Sequence, residues 1–369
     1  MSSVSRGTTG EYTRRVDDQV RNGILAIVAG GLVGVLLFVP FVALSYRRRG
    51  RLTAGRAVLW ALALVYFWAI WTYTLLPLPD PDTMRCAGTN LDIWAFVDDI
   101  RGAARRPGPF VTDPAILQLV LNVLLFVPLG FFLRVLGGRG ILVALLVGLA
   151  TSVFVETTQV TGVWGIYPCA YRVFDVDDML TNTLGAVAGS LLALAVPSRL
   201  RGAERAPDAD VPRPVTRRRR ALGMLCDAVG LGLVMSVVGV VVQLWLQFVV
   251  GDQQAVIDGT VSSVAGVVVG TGLWLAVILG TGRSVGDLAV RLRFAGGVLP
   301  TWLARPVRWL TGVSGYTLLD ALPDPWSLLA LLFVAVTAVM LFAFRDGRGL
   351  PGVFGARVVD DREVPARVE

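Results

Sequence analysis

The chain has 369 residues, 54% of them hydrophobic, with a mean hydropathy of +0.66 and a formal charge of +7. That is too apolar for a soluble domain and fits a polytopic membrane protein. Every basic residue is arginine and there is no histidine, which excludes a Ser-His-Asp triad, a histidine-ligated metal and a P-loop lysine.

An apolar helix of about 20 residues crosses a bilayer. Residues 1–21 are polar and lack the apolar core and cleavage site of a signal peptide. Apolar runs then predict spans near 22–45, 57–77, 115–136, 141–160 and 177–197, which form a first transmembrane module, 1–197. Within it, the long connection 78–114 is polar and carries Cys86. A linker at 198–220, rich in arginine and proline, ends in four arginines and marks the domain boundary. A second module, 221–345, has spans near 221–248, 260–280 and 326–344, with a weaker run at 302–321 interrupted by Arg305 and Arg308. A polar tail covers 346–369. The expected fold is all-α: a polytopic transmembrane helical bundle of two modules, with nine spans if 302–321 crosses and eight if it lies flat.

Arginine-rich loops face the cytoplasm. Arg47, Arg48, Arg49, Arg51 and Arg56 follow the first run, so the expected topology is multi-pass in the cell membrane with the amino terminus outside. The carboxyl terminus is expected in the cytoplasm, which requires 302–321 to cross, and lies outside if that run is flat. The linker arginines are then an orientation signal, and no nucleic-acid partner is expected. The four arginines of 78–114 run against this assignment, offset in part by neighbouring aspartates. On the outer side Cys86 and Cys169 share an oxidising compartment; a disulfide between the outer loops and two unpaired thiols are both open. Cys226 lies in a span and reads as a packing residue.

Polar side chains gather at the outer ends of three spans. Glu156 and Gln159 are three apart on one helix face, and Asp178 and Asn182 are four apart on the next. Asn122 enters from a third helix at similar depth, while Arg172, Asp175 and Asp177 lie in the loop between. One reading is packing: Arg172 neutralises a carboxylate, Asn122 bonds Asn182, and Asp177 caps the following helix. Four carboxylates against one arginine favour a site instead. In one form Glu156, Asp178 and Arg172 are catalytic, with a carboxylate as general acid or base. In the other, Asp175, Asp177 and Asp178 hold a divalent cation and through it a phosphate-bearing headgroup. No cofactor can be named from the sequence. Gly185 and Gly189 form a small-xxx-small pair for close helix packing.

The ordered set Asn122-Val-Leu-Leu-Phe-Val-Pro-Leu-Gly130, then Glu156-x-x-Gln159, then Tyr171-Arg-Val-Phe-Asp-Val-Asp-Asp-Met-Leu-Thr-Asn-Thr-Leu-Gly185 resembles the VanZ-like family over about 50–195. The resemblance implies an integral membrane protein of the bacterial envelope. The family's founding member is associated with low-level resistance to the glycopeptide teicoplanin. The matching positions are Asn122, Glu156, Gln159, Arg172, Asp175, Asp178 and Asn182. Over about 215–360 the order Arg220…Asp227, then Gly282-Arg-Ser-Val-Gly286-Asp…Phe294, then Arg348…Val359 is similar to the RDD family of membrane proteins. It departs where that family carries His-Asp, for here stand Pro351 and Gly352. Proposed roles for RDD proteins include ion transport. From the residues alone, Asp227 pairs with Arg220 or Arg305, or serves cation or proton passage. Arg283, Arg291 and Arg293 would touch anionic headgroups.

Three functions follow as expectations. The first is an envelope protein that binds or modifies a lipid or glycolipid, with membrane lipids and a lipid-linked envelope precursor as partners and a link to glycopeptide tolerance. The second is a transport or permease module in the second half. The third is a non-catalytic assembly or anchoring protein whose polar residues lock its helices.

Overall fold

The computed structural model describes residues 5–343, except 83 and 203, and residues 350–363. Arg348, part of the RDD likeness, and the tail beyond 363 lie outside the described residues. The chain divides into two compact units, one of residues 1–34 and 53–204, the other of residues 35–52 and 205–369.

The first unit takes the opening part of α1 (Ser5–Arg49), then α2 (Ala54–Leu75), β1 (Thr89–Asn90), α3 (Ala95–Arg105), α4 (Pro114–Val135), α5 (Ile141–Val160), the left-handed turn α6 (Gly162–Gly165), β2 (Phe174–Asp175) and α7 (Val176–Leu192). Local chemistry sets the helix starts. The Thr53 hydroxyl accepts from Arg56 N, and the Asp113 carboxylate accepts from Ala115 N with Pro114 at the first helical position. Asp175, not Asp177, caps α7, because its side chain accepts from Asp177 N at 2.9 Å.

Helices α4 and α7 touch backbone to backbone. A Cβ at Gly189 would lie 1.8 Å from the Val127 carbonyl oxygen, one at Gly185 2.2 Å from that of Val123, and one at Gly130 1.7 Å from that of Ala186. Phe126 and Ala186 are fully buried beside this seam, with Ile70 of α2 completing a small core.

The second unit takes the remainder of α1, then α8 (Arg217–Trp245), α9 (Gln253–Asp258), α10 (Thr260–Thr281), α11 (Val285–Ala289), β3 (Leu292–Ala295), α12 (Thr301–Leu310), α13 (Val313–Asp320), α14 (Leu328–Ala343) and β4 (Arg357–Asp360). Its core is Val42, Tyr46, Cys226, Ala289, Val290, Leu292 and Val358. Strand β4 pairs antiparallel with β3, so part of the polar tail is folded, and Asp360 has no exposed surface.

Seven helices are long and apolar enough to cross a membrane: Val20–Arg49, Ala54–Leu75, Pro114–Val135, Ile141–Val160, Val176–Ala195, Arg217–Val250 and Thr260–Thr281. The all-α, multi-pass bundle stands, with two two-stranded pairs added, but the count of eight or nine is corrected to seven among the described residues. The run 302–321 does not form one span. It breaks at Thr311–Gly312 into α12 and α13, and α12 carries Arg305, Pro306 and Arg308 within its single stretch of ten residues. The run 326–344 appears as the 16-residue α14, shorter than a full span.

Candidate functional site

The cluster is assembled by α2, α4, α5, α7 and the two long connections of the first unit. The Asn122 amide donates to Asp178 Oδ1, joining α4 to α7. Glu156, 3% exposed, accepts from Asp175 N at 3.1 Å, fixing the start of α7 against the end of α5. Asn182 donates to Ser152 Oγ at 2.9 Å. Gln159 donates to the Thr74 carbonyl at 2.7 Å, which brings in the end of α2.

The pairings differ in two ways from those the sequence suggested. Asn122 meets Asp178 rather than Asn182. Arg172 directs its guanidinium to the Thr74 and Leu76 carbonyls at 3.1 and 3.3 Å rather than to a carboxylate. The reason is positional: α2 ends beside the 161–175 connection, and its last carbonyls have no helical partner. Tyr171 serves the same end, donating to the Leu75 carbonyl at 3.3 Å, and burial pushes its phenol pKa up.

The cation reading of Asp175, Asp177 and Asp178 is also corrected. Among the described residues no group of three or more carboxylate or thiol side chains is placed to hold a metal. The three side chains diverge: Asp175 toward Asn90 Nδ2 at 3.2 Å and its own helix cap, Asp177 toward Phe96 N at 2.5 Å, Asp178 toward Asn122.

What remains is a surplus of acceptors. Asp177 Oδ1 and Asn182 Oδ1 are buried without a hydrogen-bond partner among the described residues, and an orphaned buried acceptor costs about 1–3 kcal/mol. Asp178 is half-buried, whereas Glu156, Gln159, Asp177 and Asn182 are buried.

The long connection 78–114 belongs to the site. Strand β1 pairs parallel with β2, Thr89 with Phe174 and Asn90 with Asp175. A disulfide joins Cys86 to Cys169 across a sequence separation of 83. Its removal in Cys86→Ser is expected to cost roughly 2–4 kcal/mol by freeing a long loop in the unfolded chain. A lower melting temperature in detergent, with one new thiol-reactive site at Cys169, checks this; an unshifted melt refutes it.

Sequence reasoning missed Ser152, Asn90, Phe96 N and the α2 carbonyls. Ser152 was within reach, since it stands four residues before Glu156 on the same face of α5. The others are backbone groups or sit in a connection with no periodicity to read.

In the second unit, Asp227 accepts from Trp274 Nε1 at 3.0 Å, Ser284 Oγ at 2.6 Å and Gly286 N at 2.7 Å. Arg220 donates to Asp287 at 3.2 Å, and Arg305 to the Leu279 carbonyl, so the expected Asp227–Arg305 pair is replaced by these contacts. Gly282 ends α10 with φ +72°, and Gly286 lies where a Cβ would meet the Gly223 carbonyl oxygen at 1.9 Å. Both are structural requirements for glycine.

No curated protein and no solved structure matches the chain. The family comparison lends no support to the RDD likeness of the second half, since the match it gives falls in the first unit. That match covers the helices and connections that carry Asn122, Glu156, Arg172, Asp178 and Asn182: residues 62–197 are a VanZ/LLP1-family domain.

Proposed function

We propose that the VanZ/LLP1-family domain binds the polar head of an envelope lipid or glycolipid at the end of its bundle where α4, α5 and α7 meet. The observation that carries this reading is the acceptor surplus: Glu156, Asp175, Asp177 and Asp178 all belong to one end of the bundle, Arg172 is turned to backbone carbonyls, and two buried acceptors lack donors among the described residues. A headgroup rich in hydroxyl or ammonium donors complements such a surface. Half-buried Asp178 is the contact residue, and buried Glu156 positions the start of α7. An outward placement of this end, with the amino terminus outside, follows from the arginine distribution. Under it, the domain acts on envelope precursors and alters tolerance of teicoplanin-type glycopeptides. If it modifies its ligand, Asp178 is the group in position to move a proton.

Asp178→Asn is expected to lower photo-crosslinking of a glycolipid probe roughly tenfold, the equivalent of about 1.5 kcal/mol for one hydrogen bond to a charged group. Glu156→Gln should do the same only through a shifted α7. Unchanged crosslinking, lipid profile and glycopeptide sensitivity at normal protein levels would overturn the reading. Loss of folded protein in both variants would instead mark the cluster as helix packing, the assembly role.

A second reading, transport by the second unit, has its own observation. The broken pair α12–α13 lies along a cavity of ≈490 Å³ whose lining also includes Arg220, Asp227 and Asp287. Interrupted helices beside buried charges are how many transporters form sites. Ion flux in proteoliposomes that disappears in Asp227→Asn supports it; flux independent of Asp227 removes it.

A further inference from the structure

The second unit carries a basic surface that neither functional reading uses. Two cavities adjoin at Arg283, of ≈590 and ≈460 Å³. The larger is lined by Arg47, Arg48, Arg205, Arg283 and Arg291, with Asp361 its single lining carboxylate among the described residues. The smaller adds Arg293, Arg305 and Arg308 and has no carboxylate in its lining among the described residues.

The fold builds this surface from distant segments. Arg47 and Arg48 are in the last turn of α1, Arg205 follows the first unit's end, Arg283 and Arg291 flank α11, and Arg293 is on β3. Part of the charge is already used: Asp361 pairs with Arg283 at 3.0 Å and Arg291 at 2.9 Å, and Asp210 pairs with Arg291 at 3.0 Å and also with Arg205. These pairs hold the guanidinium groups in place, and among the described lining residues arginines outnumber carboxylates. Hydrogen bonds from Arg205 and Arg291 hold the Asp210 carboxyl below its usual range.

The neighbouring surface is apolar. Val298 is 83% exposed, Trp302 75% and Val353 67%, and the two loops that carry the valines are joined by Val298 N donating to the Phe354 carbonyl at 3.1 Å. Gly297, φ +106°, gives the smaller cavity a wall without a side chain. Exposed aromatic and aliphatic tips beside an arginine-lined hollow, at the end of a candidate span, are the surface of a protein seated at the lipid headgroup level.

We infer that this surface binds a phosphate-bearing anion, with the headgroup of an anionic membrane lipid as its natural source. Arginine forks match phosphate oxygens in bidentate geometry. The inference is independent of the proposed role of the VanZ/LLP1-family domain.

The test uses the full chain in nanodiscs of phosphatidylcholine alone or doped with phosphatidylglycerol, with co-purified lipid counted by native mass spectrometry. A parallel arm titrates inorganic pyrophosphate into the detergent-solubilised protein and follows its melting temperature. Retained phosphatidylglycerol that falls about fivefold in Arg47→Gln, and about fivefold again in the double variant with Arg205→Gln, supports the inference, each step corresponding to about 1 kcal/mol per interfacial arginine. Stabilisation by pyrophosphate with the same dependence on Arg47, without lipid enrichment, supports the shared phosphate chemistry with a soluble source. Arg47→Lys, which keeps the charge but loses the bidentate fork, should fall between the wild type and Arg47→Gln in either case and controls for folding. Equal retention of the two lipids and no response to pyrophosphate would overturn it, as would Arg47→Gln and the double variant behaving as the wild type.

Discussion

Replacing Gly189 by leucine is expected to abolish the folded VanZ/LLP1-family domain. The new Cβ would lie 1.8 Å from the Val127 carbonyl oxygen and 3.0 Å from Phe131 N, both backbone atoms that no rotamer change can move aside. Helices α4 and α7 would have to separate, which unseats Asn122 from Asp178 and uncovers Phe126. Overpacking a tight core costs about 1–3 kcal/mol, and a backbone-on-backbone seam lies at or above the top of that range. In a bilayer there is little hydrophobic drive to hold the pair together once close packing is lost, because lipid replaces the contact at no cost in apolar burial. Gly185→Leu should behave alike, with Val123 as the obstacle, and Gly31→Leu, where no atom lies within 4 Å of the added Cβ, is the control. Yield of monodisperse protein and its melting temperature in detergent decide the matter. Wild-type behaviour of Gly189→Leu would mean that the α4–α7 seam is not as close as the structure has it.

This seam also shows what could be read in advance. Gly185 and Gly189, four apart in an apolar run, announce a helix–helix contact before any partner is known. The five first-unit spans were legible for the same reason: length and hydropathy alone define them. The polar cluster was legible as a set, since i, i+3 and i, i+4 spacing puts Glu156 with Gln159 and Asp178 with Asn182. Its pairings were not. Arg172 was expected at a carboxylate and instead closes the end of α2, because free backbone carbonyls leave no mark in a sequence. Likewise Asp177 was given the cap that Asp175 holds, a difference of two residues that depends on where the strand β2 ends. The break at Thr311–Gly312 was hidden by a run whose average hydropathy still suggested one element. The grouping of residues 35–52 with the second unit, which resumes at 205, leaves no mark in the sequence.

That return of the chain ends in the second large expected effect, the loss of Asp360. Its carboxylate has no exposed surface and accepts from Arg219 at 2.7 Å, from Arg362, and from the backbone of Arg213 and Arg362, each at 3.0 Å. Burial by itself would raise its pKa, yet the Arg362 and Arg219 side chains and the two amides outweigh burial and hold the carboxyl well below the usual carboxylate range. Asp360→Asn therefore leaves two guanidinium groups facing a neutral amide, and breaking a buried pair from one side costs about 3–5 kcal/mol. The pH dependence has a definite sign. A carboxylate with a lowered folded pKa contributes stability that is complete above its unfolded value of about 3.9 and declines as pH falls toward the folded one. The wild-type second unit should hold its stability from neutrality down to about pH 4 and lose it below, whereas Asp360→Asn should begin lower and lack that segment of acid sensitivity. Urea titrations followed by tryptophan fluorescence between pH 7 and pH 3 measure both features. Because Asp360 also anchors Arg213 N, the variant should open the arginine-rich segment 205–216 to trypsin before the unit as a whole unfolds. Equal tryptic protection in the two proteins would show that the linker is held by its other contacts, such as Arg219 on the Arg213 carbonyl and Arg362 on that of Ala209.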